Sequence, residues 1–138
     1  MIKNIPNKYS FKSLLEEINC QFKNKFDILY LPLDNSNDCN LGFAFINLID
    51  PMHIIQFYDY LRGKKWKKFK SDKICELVFA KVQGKQNLIK HIEKNVVIKS
   101  VEEKKPFVIS SVDRYTRIEI PIVNLTFINF RNILMLLM

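Results

Sequence analysis

The chain has 138 residues, 48% of them hydrophobic, which suits one small domain plus an extension and is too short for two full-size domains. Its formal net charge of +8 favours polyanionic partners such as nucleic acid or an anionic membrane surface, although a basic surface can also be inert. The three cysteines lie far apart in sequence, which argues against a disulfide framework and fits a reducing compartment. Neither metal-ligand spacing nor a secretory signal is visible. We therefore expect no metal, no cofactor and an intracellular location, nuclear or cytoplasmic.

The first third of the chain predicts a strand followed by a helix. Residues 1–7 begin apolar and end in Ile-Pro-Asn, which is typical of a strand that runs into a turn. Ser10 is a suitable N-cap for the helix that follows. The apolar residues after it fall at helical spacing and form one stripe: Phe11, Leu14, Leu15, Ile18 and Phe22.

Two further strands are predicted on either side of a polar loop. Residues 26–32 are aromatic and aliphatic, residues 34–40 have strong turn chemistry, and residues 41–49 return to a strand pattern. Strict alternation in this last strand divides its side chains between the two faces of a sheet. One face receives Leu41, Phe43, Phe45 and Asn47, and the other receives Gly42, Ala44, Ile46 and Leu48.

The second half repeats the pattern of helix and strand. Asp50 and Pro51 form a helix start, and the helix ends near Gly63. Its apolar stripe consists of Ile54, Phe57, Tyr58 and Leu61. Residues 74–81 read as a fourth strand and residues 86–94 as a short third helix.

This order predicts an α+β, ferredoxin-like fold, in which a βαββαβ chain forms a four-stranded antiparallel sheet with two helices on one face. An extra C-terminal helix follows, so we assign residues 1–94 to the domain and residues 95–138 to an extension. Within it, residues 118–138 are apolar but interrupted by Glu119, Pro121 and Arg131, which disfavours a membrane span. That segment could pack on the domain, touch a membrane surface or be poorly ordered.

The strongest functional motif lies in the third strand, residues 41–48. A known RNA-recognition signature runs Lys/Arg, Gly, aromatic, Gly/Ala, Phe, Val, any residue, aromatic, and positions two to six match here if Ile replaces Val. Phe43 and Phe45 are two residues apart, so both rings point the same way and could stack bases on an open sheet face. Alternatively they are core residues, but Ala44 and Ile46 already supply the opposite, helix-packed face. We therefore predict a stacking platform.

The first strand supplies the partner motif, and polar residues around the sheet supply base contacts. Met1 occupies the usual aromatic position and can still lie against a base. Lys3 shares its face and could reach a phosphate. The predicted readers of base edges are Asn4, Asn40, Asn47 and Gln83, and Lys81 lies with Gln83 at the edge of the platform.

Residues 62–73 carry seven Lys or Arg and one Asp. We predict that Lys64, Lys65, Lys67 and Lys68 steer phosphates beside the sheet. The alternative is a solvated loop, and in either case we expect Trp66 and Phe69 to pack into the core. The third helix could also fold back and mask the sheet, which would place Leu88 and Ile92 against Phe43 or Phe45.

Seven segments together carry a family resemblance: MIKNIPNKYS, LLEEI, FDILYLPLD, CNLGFAFIN, DPMHIIQFY, GKKWKKF and CELVFAKVQGK. They resemble the C-terminal RNA-recognition motif of the meiosis-two-like RNA-binding proteins over residues 1–94. The resemblance implies RNA binding on a slightly altered platform and a helix after the fourth strand. Met1 at the aromatic position, Leu41 in place of a basic residue and the GKKW segment are departures from the general motif that this family shares.

Three classes of function follow. The first is a module that binds single-stranded RNA by stacking and phosphate contacts, in post-transcriptional or meiosis-type RNA regulation. The second is a protein-interaction module on the same fold with a masked sheet. The third is an enzyme such as an acylphosphatase, which shares the topology but needs an arginine in the loop after the first strand. That loop, residues 5–8, has none, so we expect no catalysis.

Overall fold

The computed structural model describes residues 1–34, 36–95 and 107–108. Its elements follow the predicted order, with one additional strand at the end. They are β1 (Ile2–Lys3), α1 (Phe11–Phe22), β2 (Phe26–Tyr30), β3 (Phe43–Leu48), α2 (His53–Leu61), β4 (Glu76–Leu77), α3 (Lys85–Asn95) and β5 (Phe107–Val108).

The strands form one antiparallel sheet in the order β4-β1-β3-β2-β5. β1 is therefore an interior strand, between β3 and β4. Helices α1 and α2 pack on the face that we call the back face, where Ile2, Leu29 and Ala44 are fully buried. The predicted α+β, ferredoxin-like fold with an extra C-terminal helix is confirmed.

Helix α1 forms where capping and periodicity predict it. The Ser10 hydroxyl oxygen accepts a hydrogen bond from the Ser13 backbone N–H at 3.1 Å, which satisfies one of the free donors of the first turn. Leu14, Ile18 and Phe22 are buried on one side of the helix. The Phe22 ring meets the Phe57 ring of α2 edge to face, with centroids 5.0 Å apart, so the two stripes pack against each other.

Several elements are shorter than predicted, and the differences at α2 and β4 have a clear structural cause. Helix α2 begins at His53 because Asp50 and Pro51 form a preceding turn, in which the Asp50 carboxylate accepts from the Met52 N–H at 2.8 Å. The fourth strand was predicted over residues 74–81, but only Glu76–Leu77 is regular. β4 pairs with β1. Because β1 is itself only two residues long, the regular pairing of β4 with it cannot extend further.

The chain beyond α3 is described only at β5. This strand pairs with β2, with Val108 opposite Ile28 and Phe107 opposite Leu29, and so extends the sheet by one strand that the sequence patterns did not predict. Apart from β5 and Asn95, which is the last residue of α3, the predicted extension, residues 95–138, lies outside the described residues, as does the apolar segment 118–138. Among the helices of the described ranges, none is both long and apolar enough to cross a membrane.

Candidate nucleic-acid interface

The face of the sheet opposite α1 and α2, which we call the front face, carries a row of aromatic rings. The Phe43 and Phe45 rings on β3 meet edge to face, with centroids 5.8 Å apart. Tyr30 on β2 lies opposite Phe45 in the register, and their rings are nearly parallel, with an interplanar angle of 11° and centroids 6.3 Å apart. The alternation therefore assigned Phe43 and Phe45 to the correct, shared face.

Helix α3 covers part of this face. Leu88 and Ile92 of the helix pack with Ile28 and Phe45 of the sheet in a second buried cluster, and only 3% of the Phe45 side chain remains exposed. The His91 ring lies 6.4 Å from the Phe45 ring. The prediction of an open face is therefore wrong at Phe45, because the apolar side of α3 buries there. The alternative prediction was that α3 masks the sheet with Leu88 and Ile92 against it. That prediction is correct at this end of the face.

The other end of the front face is more open. Phe43 is only partly buried, and Lys3 of β1 lies directly opposite it in the ladder. Met1 packs beside them at the margin of the α3-covered cluster. The structure thus brings together Phe43, Lys3 and Met1, which gives one accessible ring with a cation on the neighbouring strand.

A polar network holds the start of α3 against the sheet. The Lys85 ammonium lies 3.7 Å from a carboxylate oxygen of Asp27, whose other oxygen accepts a 2.8 Å hydrogen bond from the Asn47 amide. Gly84, just before the helix, has φ +85°, a conformation that favours glycine and lets the chain turn onto the front face. Asn47 was predicted to contact bases, but its side-chain amide already donates a hydrogen bond to Asp27 within the protein.

Asn40 also has a role in the fold and not at the surface. Its side chain is 3% exposed and its amide nitrogen donates to the carbonyl oxygens of Pro6, Asn7 and Tyr9, while its amide oxygen accepts from the Gly42 N–H. All of its polar atoms are therefore engaged within the protein. This is a correction to the predicted base contact: a turn residue flanked by polar neighbours resembled a surface reader, but it ties two loops together.

Asn4, in contrast, remains exposed at the end of β1 with φ 60°, a conformation that asparagine tolerates better than most residues. Its backbone carbonyl accepts a 2.7 Å hydrogen bond from the Trp66 indole, which connects the end of β1 to the basic segment. The Asn4 side chain is exposed and follows Lys3 in the chain, so its predicted contact with bases stays a prediction.

The basic segment, residues 62–73, packs on the helix side of the domain. Trp66 is buried there, as predicted, against the Tyr9 ring at 5.2 Å, whereas Phe69 is half exposed. The Lys68 ammonium forms an ion pair with Glu16 of α1, and the Lys68 backbone N–H donates to the Tyr9 hydroxyl. These contacts fix the segment along α1 and α2.

The segment's lysines are therefore not gathered beside the front face. Lys64 and Lys67 both lie over the Tyr60 ring of α2, with ammonium-to-centroid distances of 4.4 Å and 5.7 Å. The Tyr60 hydroxyl accepts a hydrogen bond from Lys67 and raises the pKa of that ammonium. Lys65 is exposed and lies 4.0 Å from Asp72. The phosphate rim predicted beside the sheet is instead a basic surface on the opposite side.

Lys81 and Gln83 are exposed in the connection between β4 and α3. The Gln83 side-chain amide donates to the Ala80 carbonyl at 2.6 Å, which closes the turn before the helix. Both residues are thus at the edge of the sheet, as predicted, and Lys81 is the freer of the two to contact a ligand.

Sequence reasoning missed one residue of the ring row and one long-range contact of the basic segment. Tyr30 completes the ring row, and burial raises the pKa of its hydroxyl to about 12, so the phenol is neutral at physiological pH. Tyr30 follows Ile28 by two residues in the same strand, so alternation could have predicted that both side chains share one face. Lys73 reaches the turn after β1, where its ammonium lies 2.8 Å from the Asn7 amide oxygen. No sequence pattern linked Lys73 to that turn.

The described residues contain no group of three or more His, Cys, Asp or Glu side chains that could hold a metal ion. Where α3 does not cover it, the front face offers a partly exposed aromatic ring with a lysine on the neighbouring strand. Such a surface can stack planar rings and attract anions.

Comparison with known proteins gives a consistent identification. The family model described as RNA recognition motif 2 matches residues 1–93. Rice (Oryza sativa subsp. japonica) Protein MEI2-like 4 is 46% identical over 111 residues, which cover 80% of this chain and 11% of that protein. Rice Protein MEI2-like 3 is 52% identical over 93 residues, 67% of this chain and 10% of that protein.

An Arabidopsis thaliana relative, Protein MEI2-like 5, is 41% identical over 119 residues, which cover 86% of this chain and 15% of that protein. The chain therefore spans only about a tenth to a seventh of the length of these curated relatives. The resemblance to the meiosis-two-like proteins is confirmed, and the chain belongs to the RNA recognition motif 2 family.

Proposed function

We propose that this chain binds single-stranded RNA on the front face, beginning at the end marked by Phe43. The observation that carries the proposal is the pairing of Phe43 with Lys3 on adjacent strands, where a partly exposed ring and a cation lie side by side. A base stacked on the ring would place its phosphate within reach of the ammonium. Membership of the RNA recognition motif 2 family supports this assignment.

Binding on this face requires no covalent chemistry. Phe43 supplies a stacking surface, Met1 an apolar side wall, and Asn4 and Lys81 polar groups at the margins. Because α3 covers Phe45, the docked state offers room for one stacked base, and further bases need the helix to move. We place the activity in post-transcriptional or meiosis-type RNA regulation, in the nucleus or cytoplasm.

The test is a comparison of RNA affinity between the wild type and Phe43→Ala, measured by fluorescence anisotropy with a labelled pool of single-stranded RNA. Loss of one stacked base costs about 1–3 kcal/mol, so we expect binding to weaken by roughly 5- to 150-fold. The matched control is Phe79→Ala. That ring is 80% exposed and belongs to neither buried cluster, so its removal should leave affinity unchanged.

Equal affinities of Phe43→Ala and the wild type, with both proteins folded by circular dichroism, would refute the stacking site. A uniform loss in both Phe43→Ala and Phe79→Ala would indicate general destabilisation. The comparison therefore separates binding from folding.

A second candidate function is a protein-interaction module with a masked sheet. The specific observation in its favour is the burial of Phe45 under Leu88 and Ile92. A folded wild type that binds no RNA even at low ionic strength would support this candidate over RNA binding, because electrostatic attraction to RNA is strongest there.

A further inference from the structure

Two lysines of the basic segment hold their charges against a single tyrosine on the helix side of the domain. The Lys64 ammonium lies 4.4 Å from the centroid of the Tyr60 ring. The Lys67 ammonium lies 5.7 Å from the same centroid and donates a 3.2 Å hydrogen bond to the Tyr60 hydroxyl. The two cations therefore lie within about one Debye length, roughly 10 Å, of each other, where their repulsion favours a bound anion.

These two lysines have no acidic partner among the described residues, whereas a neighbour does. Lys65 lies 4.0 Å from Asp72. In the part of the chain that the structure describes, neither Lys64 nor Lys67 forms an ion pair with a carboxylate. The Tyr60 hydroxyl accepts from Lys67 and keeps its own hydrogen to donate. The three side chains thus offer an anion two charged donors and one neutral donor.

A small cavity lies beside these donors. Its volume is about 80 Å³, and its walls include the apolar side chains of Leu61, Trp66 and Cys75 as well as Tyr60. A cavity of roughly 150 Å³ is known to hold a benzene ring, so this one is too small for an aromatic ring or a nucleobase. It has room for a small aliphatic side chain.

One acidic side chain also lines this cavity, and its charge is engaged within the protein. Glu17 is only 6% exposed. One of its carboxylate oxygens accepts from the Tyr9 hydroxyl, and the other accepts from the Lys67 backbone N–H at 3.4 Å. Because both oxygens have partners inside the domain, Glu17 leaves the Lys64 and Lys67 ammonium groups to an external anion.

Backbone contacts hold the two lysines in place before any ligand binds. The Cys75 N–H donates to the Lys64 carbonyl oxygen at 2.9 Å, and the Gly63 N–H donates to the Cys75 carbonyl oxygen at 2.8 Å. Trp66, between the two lysines, is buried and donates to the Asn4 carbonyl oxygen. A ligand therefore orders only the lysine side chains, which lowers the entropic cost of binding.

We propose that Tyr60, Lys64 and Lys67 form a docking site for an acidic segment of a protein partner, in which Asp or Glu residues flank a small aliphatic residue. The carboxylates accept charge-assisted hydrogen bonds from the two ammonium groups, and the aliphatic side chain enters the cavity. The site lies on the opposite side of the sheet from Phe43. It is therefore independent of the proposed RNA site, and both ligands can bind at once.

The surroundings favour a peptide over RNA at this site. A single strand of RNA gains affinity when its bases stack on exposed rings. Here the Tyr60 ring already has an ammonium over it, and the Trp66 ring is 5% exposed. The apolar walls of the cavity suit a methyl group, whereas a phosphate would lose its hydration there without a partner. Phosphate contacts alone would leave the cavity unused.

The probe is a fluorescein-labelled pool of peptides, each with a central Ala, Val or Leu and two Asp or Glu residues on either side. Binding is measured by fluorescence anisotropy at low ionic strength. We expect Lys64→Gln and Lys67→Gln each to weaken binding about threefold, and the double variant about tenfold or more. Lys90→Gln removes the same charge from an exposed position on α3 and should leave binding nearly unchanged.

Two further comparisons test the hydroxyl and the cavity. Tyr60→Phe keeps the ring that packs against the core and removes only the hydroxyl, so it should weaken peptide binding about twofold without loss of the fold measured by circular dichroism. A second pool with Ser in the centre should bind about threefold more weakly, because a hydroxyl enters an apolar cavity.

Several outcomes would overturn the proposal. One is a wild type that does not bind the acidic pool, and another is an equal loss in Lys90→Gln and Lys64→Gln, which would indicate unspecific attraction. Equal binding of the two pools would remove the role of the cavity. A short oligouridylate of matched charge whose binding, unlike that of the peptides, is lost in the double variant would assign the site to phosphate. None of these results depends on Phe43, so failure here is distinct from failure of the proposed function.

Discussion

Phe43 and Phe45 are two residues apart and share a face, yet their environments differ. Phe45 is 3% exposed and contacts both the sheet and α3, whereas Phe43 is at the margin of that cluster. The same motif thus supplies one core ring and one surface ring. Alternation determines the direction of a side chain, but it does not reveal which element covers that direction.

This difference predicts unequal effects on stability. Phe45→Ala leaves a cavity between Ile28 and Leu88 and should lower the free energy of unfolding by about 3–5 kcal/mol. Phe43→Ala should lower it by about 1 kcal/mol. Urea denaturation with a constant m-value measures both. Comparable losses for the two variants would contradict the assignment of Phe45 to the core and Phe43 to the surface.

Asn40 shows why single polar residues are harder to interpret from sequence than apolar ones. The turn composition of residues 34–40 was recognised correctly, but whether an asparagine amide faces solvent or backbone depends on loops that are distant in sequence. Asn40 contacts Pro6, 34 residues earlier. Such long-range contacts leave no local periodicity, so the predicted base contact could not be distinguished from a structural one.

At the scale of elements, helices and long strands were predictable because capping and periodicity are local. Ser10 marked the start of α1, and the alternation in β3 gave its two faces, although the strand is shorter than the predicted residues 41–49. The short strands were not predictable to the same degree. β4 has two residues because its neighbour β1 has two, and β5 pairs with β2 across nearly 80 residues of sequence.

Helix α3 covers part of the ring row, so its release from the sheet should change RNA binding at the proposed site. Ile92→Ser places a hydroxyl in the buried cluster and should loosen α3, which exposes Phe45 and Tyr30 to bases. We expect RNA affinity to rise about fivefold or more. The control is Gln86→Ser, at an exposed position of the same helix.

Amide exchange in α3 reports the release independently of RNA. Faster exchange in Ile92→Ser together with unchanged or weaker RNA binding would show that α3 does not compete with RNA for the front face. Stronger binding with faster exchange would show that the helix regulates access to the rings.

At the scale of the whole molecule, basic side chains of the described residues lie on both sides of the sheet. Lys3 lies on the front face, while Lys64 lies over Tyr60 on the helix side. Total charge could be computed from the sequence, but its division between the two sides could not, because the basic segment reaches α1 through contacts such as Lys68 with Glu16. Those contacts connect residues 52 positions apart.

The salt dependence of RNA binding tests this distribution. Each phosphate contact contributes about −0.7 to the slope of log affinity against log salt concentration for a single strand. Lys3→Gln should therefore make the slope less negative by about 0.7, and Lys64→Gln should leave it unchanged. A larger change in Lys64→Gln than in Lys3→Gln would place the RNA on the helix side instead.

The interior position of β1 in the sheet has a consequence for synthesis on the ribosome. Met1 is bonded to Val78, 77 residues later, so the first strand cannot be enclosed in the sheet until that residue has emerged. At roughly 5–20 residues per second, this delay is roughly 4 to 15 s. During that interval Ile2 and Ile5, both fully buried in the finished domain, are exposed on the nascent chain. The domain therefore completes its core late, and its earliest residues are the ones that depend longest on protection from aggregation.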